Sequence, residues 1–338
     1  MSVSANYADG MHPVTALFSR HAWATVELVR HCASLDSTLL ERDMAGTRGS
    51  IRTTLTHLVG TEQLQLALLT GEPASDPIAR GERRDLAALE ASATENASRW
   101  QSVLQSSPDP DRLTWHERDG GRRGVAGWVV MVHCISHGDE HRAHVGSVLG
   151  AAGVDQPDLD GWAFGSRGDR DGGALADWAD SLLLRFLGFS GWATRELLEH
   201  CLGLGERALR ATAPGTYGTV HETLTHLVDS DGAYLSLLTG APDVVLEGSA
   251  DPDTLRRCAE RWRERWRAYL EAAPDHARVV EASGDRRVPA GVLTMQAVHH
   301  ANDHCAHVRT ILGANGFPVL EADTWAYGEV QGAAPPGG

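Results

Sequence analysis

The 338-residue chain carries one histidine pattern twice, and this duplication constrains its fold more than any other feature. Each half has a histidine in the tetrapeptide Thr-His-Leu-Val, followed by three histidines separated by three and then two residues: His57, His137, His141 and His144, and then His226, His300, His304 and His307. Two halves that have otherwise diverged would not keep these matched histidines by chance. The sequence therefore predicts two copies of one domain, each with its own histidine cluster.

The separation between matched residues shows where the two copies differ in length. Trp23 and Trp192 lie 169 positions apart, whereas Gly150 and Gly313 lie 163 positions apart. The offset is still 169 between Gly71 and Gly240 and is 163 between His137 and His300, so the six-residue difference is absorbed between residues 71 and 137, where surface loops tolerate insertions. A period this long exceeds that of a solenoid repeat, so we expect whole domains in tandem.

The hydrophobic pattern within each copy is helical. Residues 23–35 and 192–204 place apolar side chains at intervals of three and four, and a Gly/Thr-rich break follows each segment. Strand-like alternation is sparse, and residues 278–281 form at best a short edge strand. Four helices per copy predict an all-α protein, made of two tandem four-helix bundles that form an internal pseudo-dimer.

Composition indicates the domain boundaries. We expect one bundle over residues 1–165, a Gly/Arg/Asp-rich linker over 166–176 and a second bundle over 177–330. Residues 331–338 are rich in glycine, proline and alanine, so we expect a disordered tail.

The histidine spacing favours a metal site in each copy. Residues four apart project from one helix face, so His137 and His141 can approach one ion together. His57, on a neighbouring helix, is the matched candidate for a third ligand, and the second copy offers the equivalent set: His226, His300 and His304. His144 lies about 10.5 Å along the helix from His137. We therefore expect His144 and His307 to form hydrogen bonds with the metal-binding histidines or to contact substrate.

Two further histidines need a separate interpretation. His133 stands four residues before His137 and could form a competing pair, but its counterpart is Gln296, so the recurring pair is favoured. His299 has no matched histidine, and we expect it to be exposed on the surface.

Charge and cysteine content exclude several classes of function. The net charge of −15 gives no electrostatic support for nucleic-acid binding, and there is no basic amphipathic or transmembrane-length stretch. The five cysteines form no CxxC pair and indicate buried reduced thiols. Residues 1–10 lack the features of a signal peptide. These observations predict a cytoplasmic protein.

Three segments resemble the DinB-like superfamily, which includes bacillithiol and mycothiol S-transferases. The first runs from Leu55 to Glu62, the second spans residues 137–144, where the family has HxxxHRxQ, and the third is the Asp-x-Trp-Ala-Phe/Tyr-Gly ending at 160–165 and 323–328. The resemblance implies a four-helix bundle with zinc, nickel or iron on three histidines, which match His57, His137 and His141 in the first copy.

The chain also departs from the family pattern. Histidine replaces the family glutamine at positions 144 and 307, and Cys305 stands where the first copy has Arg142. We therefore expect the two sites to be inequivalent.

The leading functional hypothesis is a metal-dependent enzyme of the thiol S-transferase type, in which the ion activates a thiolate or water for attack on an electrophile. A low-molecular-weight thiol would be the co-substrate. His144, His307, Glu62 and Asp231 are the candidate catalytic groups, and Arg142, Trp162 and Trp325 are the candidate substrate contacts. Two alternatives stay open, an Fe(II)-dependent oxygen-activating enzyme and a non-catalytic metal-binding or interaction module. The protein would act as a monomer with an internal pseudo-dimer or as a homodimer.

Overall fold

Helices dominate the computed structural model, which describes residues 11–118, 121–167, 178–242, 246, 250–282 and 286–333. In the first repeat the elements are α1 (Pro13–Ala33), α2 (Ser37–Leu40), α3 (Ile51–Thr70), α4 (Leu86–Gln105), β1 (Leu113–Arg118), β2 (Gly121–Ala126), α5 (Gly127–Ala151) and α6 (Gly161–Gly165). In the second they are α7 (Trp178–Leu204), α8 (Glu206–Leu209), α9 (Val220–Thr239), α10 (Pro252–Glu271), β3 (Val279–Glu281), β4 (Arg287–Pro289), α11 (Ala290–Ala314) and α12 (Thr324–Val330).

The two repeats thus have the same order of elements, and four long helices dominate each. The predictions of an all-α protein and of two tandem bundles are confirmed. The predicted linker lies partly, at 168–176, outside the described residues, as does the tail at 334–338. The domain boundaries stay a prediction.

Each repeat also contains an antiparallel hairpin, between the third and fourth long helices. The short edge predicted near residue 280 is β3, which pairs with β4. The first hairpin, β1 with β2, was not predicted. The apolar side chains Leu113 and Trp115 of β1 are half exposed whereas the polar Thr114 between them is buried, so the hydrophobic pattern gives no strand signal here.

Local capping explains where the ligand-bearing helices α3 and α9 begin and end. Ser50 accepts a hydrogen bond from the Thr53 amide at the start of α3, and Thr219 forms a capping box with Glu222 at the start of α9. Both helices stop at a glycine in the left-handed conformation, Gly71 and Gly240.

Helices α5 and α11 form the centre of the molecule. Most of their residues are buried on every face, because each packs within its own bundle and against its counterpart in the other. All five cysteines are buried, as the sequence predicted, and none forms a disulfide bond.

Reciprocal glycine contacts relate the repeats by approximate two-fold symmetry. A β-carbon at Gly313 would lie 2.8 Å from the Cα of Gly46, and one at Gly150 would lie 2.9 Å from the Cα of Gly215. Gly46 and Gly313 come from different repeats, and Gly215 and Gly150 are their respective counterparts. The same contact is therefore made twice, as an isologous interface requires.

The short helices α6 and α12 cross to the other repeat. The amide of Gly161, at the start of α6, donates to Gln296 Oε1 of α11 at 2.6 Å. In the opposite direction, the Ala126 amide donates to the Ala333 carbonyl, just beyond α12, at 3.0 Å. Each repeat therefore contributes its last helix to the surroundings of the other repeat's central helix.

Candidate metal centres

The first histidine triad joins helices α3 and α5. The Nε2 atom of His137 lies 3.1 Å from Nε2 of His57 and 3.0 Å from Nε2 of His141. Ligand nitrogens about 2.0–2.1 Å from a tetrahedral ion lie about 3.3 Å apart. The three rings thus converge at nearly the separation that a shared divalent ion requires.

The second triad repeats this arrangement on helices α9 and α11. Nε2 of His300 lies 3.1 Å from Nε2 of His226. One nitrogen from each of these rings and one from His304 all lie within 4.8 Å of one another. The structure therefore brings together both sets of histidines that the sequence proposed as ligands.

Burial keeps the triad imidazoles neutral. It lowers the pKa of His57 to about 4, with the charges of Arg48 and Arg80 adding to the effect. Burial, together with the neighbouring histidines, lowers the pKa of His300 to about 3 and that of His137 well below its usual range. A neutral imidazole with a free lone pair is the form that binds a metal.

Two other groups that share no residue with the triads also cluster: His21, Glu62 and Cys134, and His12, Asp180 and His276. In the first, Arg142 donates to Nδ1 of His21 at 3.2 Å, so Nε2 carries the proton and faces Glu62. In the second, Nδ1 of His12 accepts from the Val14 amide at 3.2 Å. Because Nδ1 accepts in both His21 and His12, Nε2 of each ring carries the proton and cannot bind an ion. These clusters are therefore hydrogen-bonded structural groups.

The outer nitrogens of the matched ligands His141 and His304 differ in their hydrogen bonds. Nδ1 of His144 lies 3.2 Å from Nδ1 of His141. A histidine that binds a metal through Nε2 carries its proton on Nδ1, so His141 would donate to His144. Nδ1 of His304 and Nδ1 of His307 are buried without a hydrogen-bond partner among the described residues. The two sites are therefore supported differently.

The two acidic residues proposed for catalysis also differ. Glu62 is buried and accepts hydrogen bonds from Asn96 at 3.1 Å and Trp100 at 2.9 Å, besides facing His21. None of these partners belongs to a triad. Burial raises the pKa of Asp231, its counterpart, to about 7, although a hydrogen bond with Trp266 opposes the shift.

Arg142 belongs to a buried network at the repeat interface. It donates to Asp139 at 2.7 Å and to Thr25 at 2.9 Å. His299, predicted to be exposed, is only 8% exposed, and its Nδ1 lies 3.1 Å from Oδ1 of Asp139. The prediction for His299 was wrong because α5 and α11 pair there. The network also includes Arg20, which sequence reasoning missed because its partners lie far away in the chain.

The proposed substrate-contacting tryptophans are each separated by one ring from the triad of the opposite repeat. Trp325 is 5.4 Å, ring centre to ring centre, from His133, which is 5.0 Å from His137 of the first triad. Trp162 is 6.5 Å from Tyr234, which is 5.7 Å from His300 of the second. Each tryptophan lies near the other repeat's triad because α6 and α12, which carry Trp162 and Trp325, each cross to the other repeat.

A small cavity lies between the repeats on the side of the first triad. It is lined by His137 and Glu140 of α5 and, from the second repeat, by Ser190, Asn302 and Arg309. The Oγ atom of Ser190 is buried without a hydrogen-bond partner among the described residues. Both repeats thus form the surroundings of the first triad.

Fold and site together define a tandem pair of helical bundles, each with three convergent histidines. Residues 1–168 match the model of the DinB family, and residues 191–308 match that of the DinB superfamily. The chain therefore belongs to the DinB superfamily, as a tandem duplication. Comparisons with curated proteins and with solved structures give no match. No helix in the described ranges combines the length and apolar character needed to cross a membrane.

Proposed function

We propose that the protein is a metal-dependent small-molecule enzyme of the thiol S-transferase type, with one divalent ion, zinc, nickel or iron, per repeat. The observation that carries the proposal is the convergence of three neutral imidazoles in each repeat, whose ligand atoms all lie within 4.8 Å of one another. The shortest Nε2 separations are 3.0–3.1 Å, within the first triad and between His226 and His300. Three protein ligands are typical of catalytic sites, which keep a coordination position open.

A bound ion would lower the pKa of a coordinated thiol or water and so supply a nucleophile near neutral pH. In the proposed reaction the thiol sulfur forms a bond to an electrophilic carbon. The bond from that carbon to its leaving group breaks, and its electron pair departs with the leaving group. The thiol proton passes to solvent or to the departing group, so no redox partner is needed.

The chain's own groups would position the reactants and move the proton. Nδ1 of His144 would accept the hydrogen bond from Nδ1 of His141 and so hold that ring in place. Nε2 of His144 would then be left for proton transfer. Asp231 fits proton transfer better than Glu62, because its pKa is near neutral whereas Glu62 is held by its hydrogen bonds. Trp162 and Trp325 would form apolar walls for substrate.

Iron-dependent oxygen activation usually employs two histidines and one carboxylate. Neither triad contains a carboxylate, and the one that groups with a triad histidine among the described residues is Asp303, beside His304 and His307.

The test is alkylation of a small thiol by an electrophile such as monobromobimane, with the protein loaded in turn with zinc, nickel or iron. We expect metal-dependent turnover that falls at least tenfold in a His137→Ala, His300→Ala double variant, the loss expected when both ions are removed. The single variant His200→Ala is the control, since His200 lies on α7 outside both triads and hydrogen-bonds to the Pro318 carbonyl. Thiol addition that changes neither the spectrum of the bound metal nor the rate of alkylation would contradict the proposal and leave a non-catalytic metal-binding module.

A further inference from the structure

The loops that precede α3 and α9, beside the two triads, differ in charge. The stretch around the α3 and α9 ligands aligns without a gap, so its residues can be compared one by one. Three matched positions near the ligands differ in charge: Arg48 and Tyr217, Thr53 and Glu222, Gly60 and Asp229. At each of these positions the second repeat has the less positive or more negative residue.

The entrance to the second triad is aromatic and acidic. The ring of Tyr217 stacks on His226, with ring centres 4.4 Å apart and planes 17° apart, and its edge meets His304 at 5.1 Å. Tyr217 is nevertheless 44% exposed and lines an open pocket with Glu222 and Asp229. A ligand that approaches this triad therefore meets an aromatic ring and two carboxylates.

These carboxylates are fixed in place by backbone hydrogen bonds. Glu222 accepts from the Thr219 amide at 2.8 Å, and Asp229 accepts from the Leu246 amide at 2.7 Å. Asp229 also acts on a ligand directly, because its charge opposes the lowering of the His226 pKa by burial. The negative field at this entrance is therefore built into the fold.

The corresponding loop of the first repeat is cationic. Arg48 is exposed in the loop before α3, at the position where Tyr217 covers the second triad. Its charge reaches two ligands, since after burial it is the next cause of the lowered His57 pKa and a further cause at His141. The exposed Arg80 adds a second positive charge near His57. No matched acidic residue offsets this charge, because the counterpart of Asp229 is Gly60.

We propose that the two centres select ligands of different charge. The first takes small anionic molecules, such as a thiol that carries a carboxylate. The second takes uncharged or cationic molecules, preferably with a ring that packs on Tyr217. Fixed charges at the mouth of a cleft raise the local concentration and affinity of the opposite charge. This inference rests on the proposed function, because it requires an ion in each triad.

The experiment uses the full-length protein loaded with Co²⁺, whose absorption reports thiolate binding. His300→Ala leaves only the first centre and His137→Ala leaves only the second. Each variant is titrated with mercaptoacetate and with 2-mercaptoethanol, which differ in charge at neutral pH. We expect the ratio of the two affinities to favour mercaptoacetate about fivefold more at the first centre than at the second, the size expected for nearby exposed charges.

Exchanging the matched residues Arg48 and Tyr217 gives the decisive variants. Each variant introduces the residue that the other repeat already carries at the same position. Arg48→Tyr should remove most of the preference for mercaptoacetate at the first centre, and Tyr217→Arg should create such a preference at the second. Raising the salt concentration to about 1 M, where the Debye length is about 3 Å, should reduce both differences. Unchanged thermal unfolding of each variant would exclude a folding defect.

Equal affinity ratios at the two centres, or a ratio that Arg48→Tyr leaves unchanged, would overturn this inference alone, since both centres would have bound cobalt and thiol. Failure of the unaltered protein to take up cobalt would instead overturn the proposed function and this inference with it.

Discussion

Asn302 donates a hydrogen bond to Oδ2 of Asp139 at 2.9 Å, and these two residues occupy the same position in the two repeats. They meet where α5 and α11 pair about the approximate two-fold axis. In a dimer of identical bundles this position would face its own copy, and an aspartate would then oppose an aspartate. The tandem chain avoids this repulsion, because one repeat has the acid and the other has its amide.

The first prediction follows from this pair. Asp139 is fully buried and is bonded to Arg20, Arg142 and His299 as well as Asn302. Asn302→Asp would bury a second carboxylate against it and should lower the free energy of unfolding at pH 7 by about 3 kcal/mol. Asn302→Ala, which removes only the hydrogen bond, should cost about 1 kcal/mol. Urea unfolding measures both, and an aspartate variant as stable as the alanine variant would contradict the account.

The second prediction concerns the outer nitrogens of the ligands. His144→Ala removes the hydrogen bond to His141 and should weaken metal binding at the first centre about tenfold, the usual effect of such a partner. His307→Ala should change affinity at the second centre less than about threefold, because Nδ1 of His304 has no such bond in the described residues. Chelator competition, on variants that keep one triad, gives both affinities. Equal losses of metal affinity in the two variants would contradict the prediction that the hydrogen bond from His141 to His144 makes His144 more important than His307.

The third prediction is a pH dependence of stability. The pKa of Asp231 is raised from 3.8 to about 7 in the folded protein by burial, so the unfolded chain loses this proton first as pH rises. The stability contributed by the protonated group is full below about pH 4 and is lost as pH rises through 7. The free energy of unfolding of Asp231→Asn, relative to that of wild type, should therefore increase by about 2.6 kcal/mol between pH 5 and pH 8.

Glu62→Gln is the matched control for that variant. Glu62 accepts hydrogen bonds from three N–H donors, of Asn96, Trp100 and His21, and an amide cannot accept as many without turning its own NH₂ group toward one of them. This substitution should destabilise the protein at both pH values. A stability difference for Asp231→Asn that does not change with pH would show that Asp231 is ionised in the folded state.

The fourth prediction tests the exchange of the short helices. Trp325 belongs to the second repeat but lies beside His133 and the first triad. Trp325→Ala should weaken thiol binding about fivefold at the first centre, the usual size of a lost aromatic wall, and leave the second unchanged. Trp162→Ala should have the opposite pattern. If each variant instead weakened thiol binding at the centre of the repeat that carries the substituted tryptophan, the cross-repeat arrangement would be contradicted.

Local sequence signals were sufficient for the parts of the fold that depend on local physics. Helix α3 could be predicted from its apolar period, a serine or threonine cap and a glycine stop, and the same signals define α9. The i, i+4 pair of His137 and His141 follows from helix geometry alone, and the duplication identified His57 as its partner.

The remaining features depend on contacts between distant segments. The burial of His299 arises from the pairing of α5 with α11, which no local pattern reveals. The placement of Trp162 and Trp325 depends on which bundle each short helix packs against. The charge difference between the entrances was readable at Arg48 and Tyr217, but only the structure shows that this loop covers the ligands.

The most direct test of the central claim is the metal content per chain, measured by elemental analysis on wild type, His137→Ala and His300→Ala. With three histidines per site, we predict about two equivalents in wild type and about one in each variant, and His133→Ala should keep about two. Wild-type protein that holds no metal, after purification without chelator and an attempt at reloading, would contradict the assignment of both triads as metal centres.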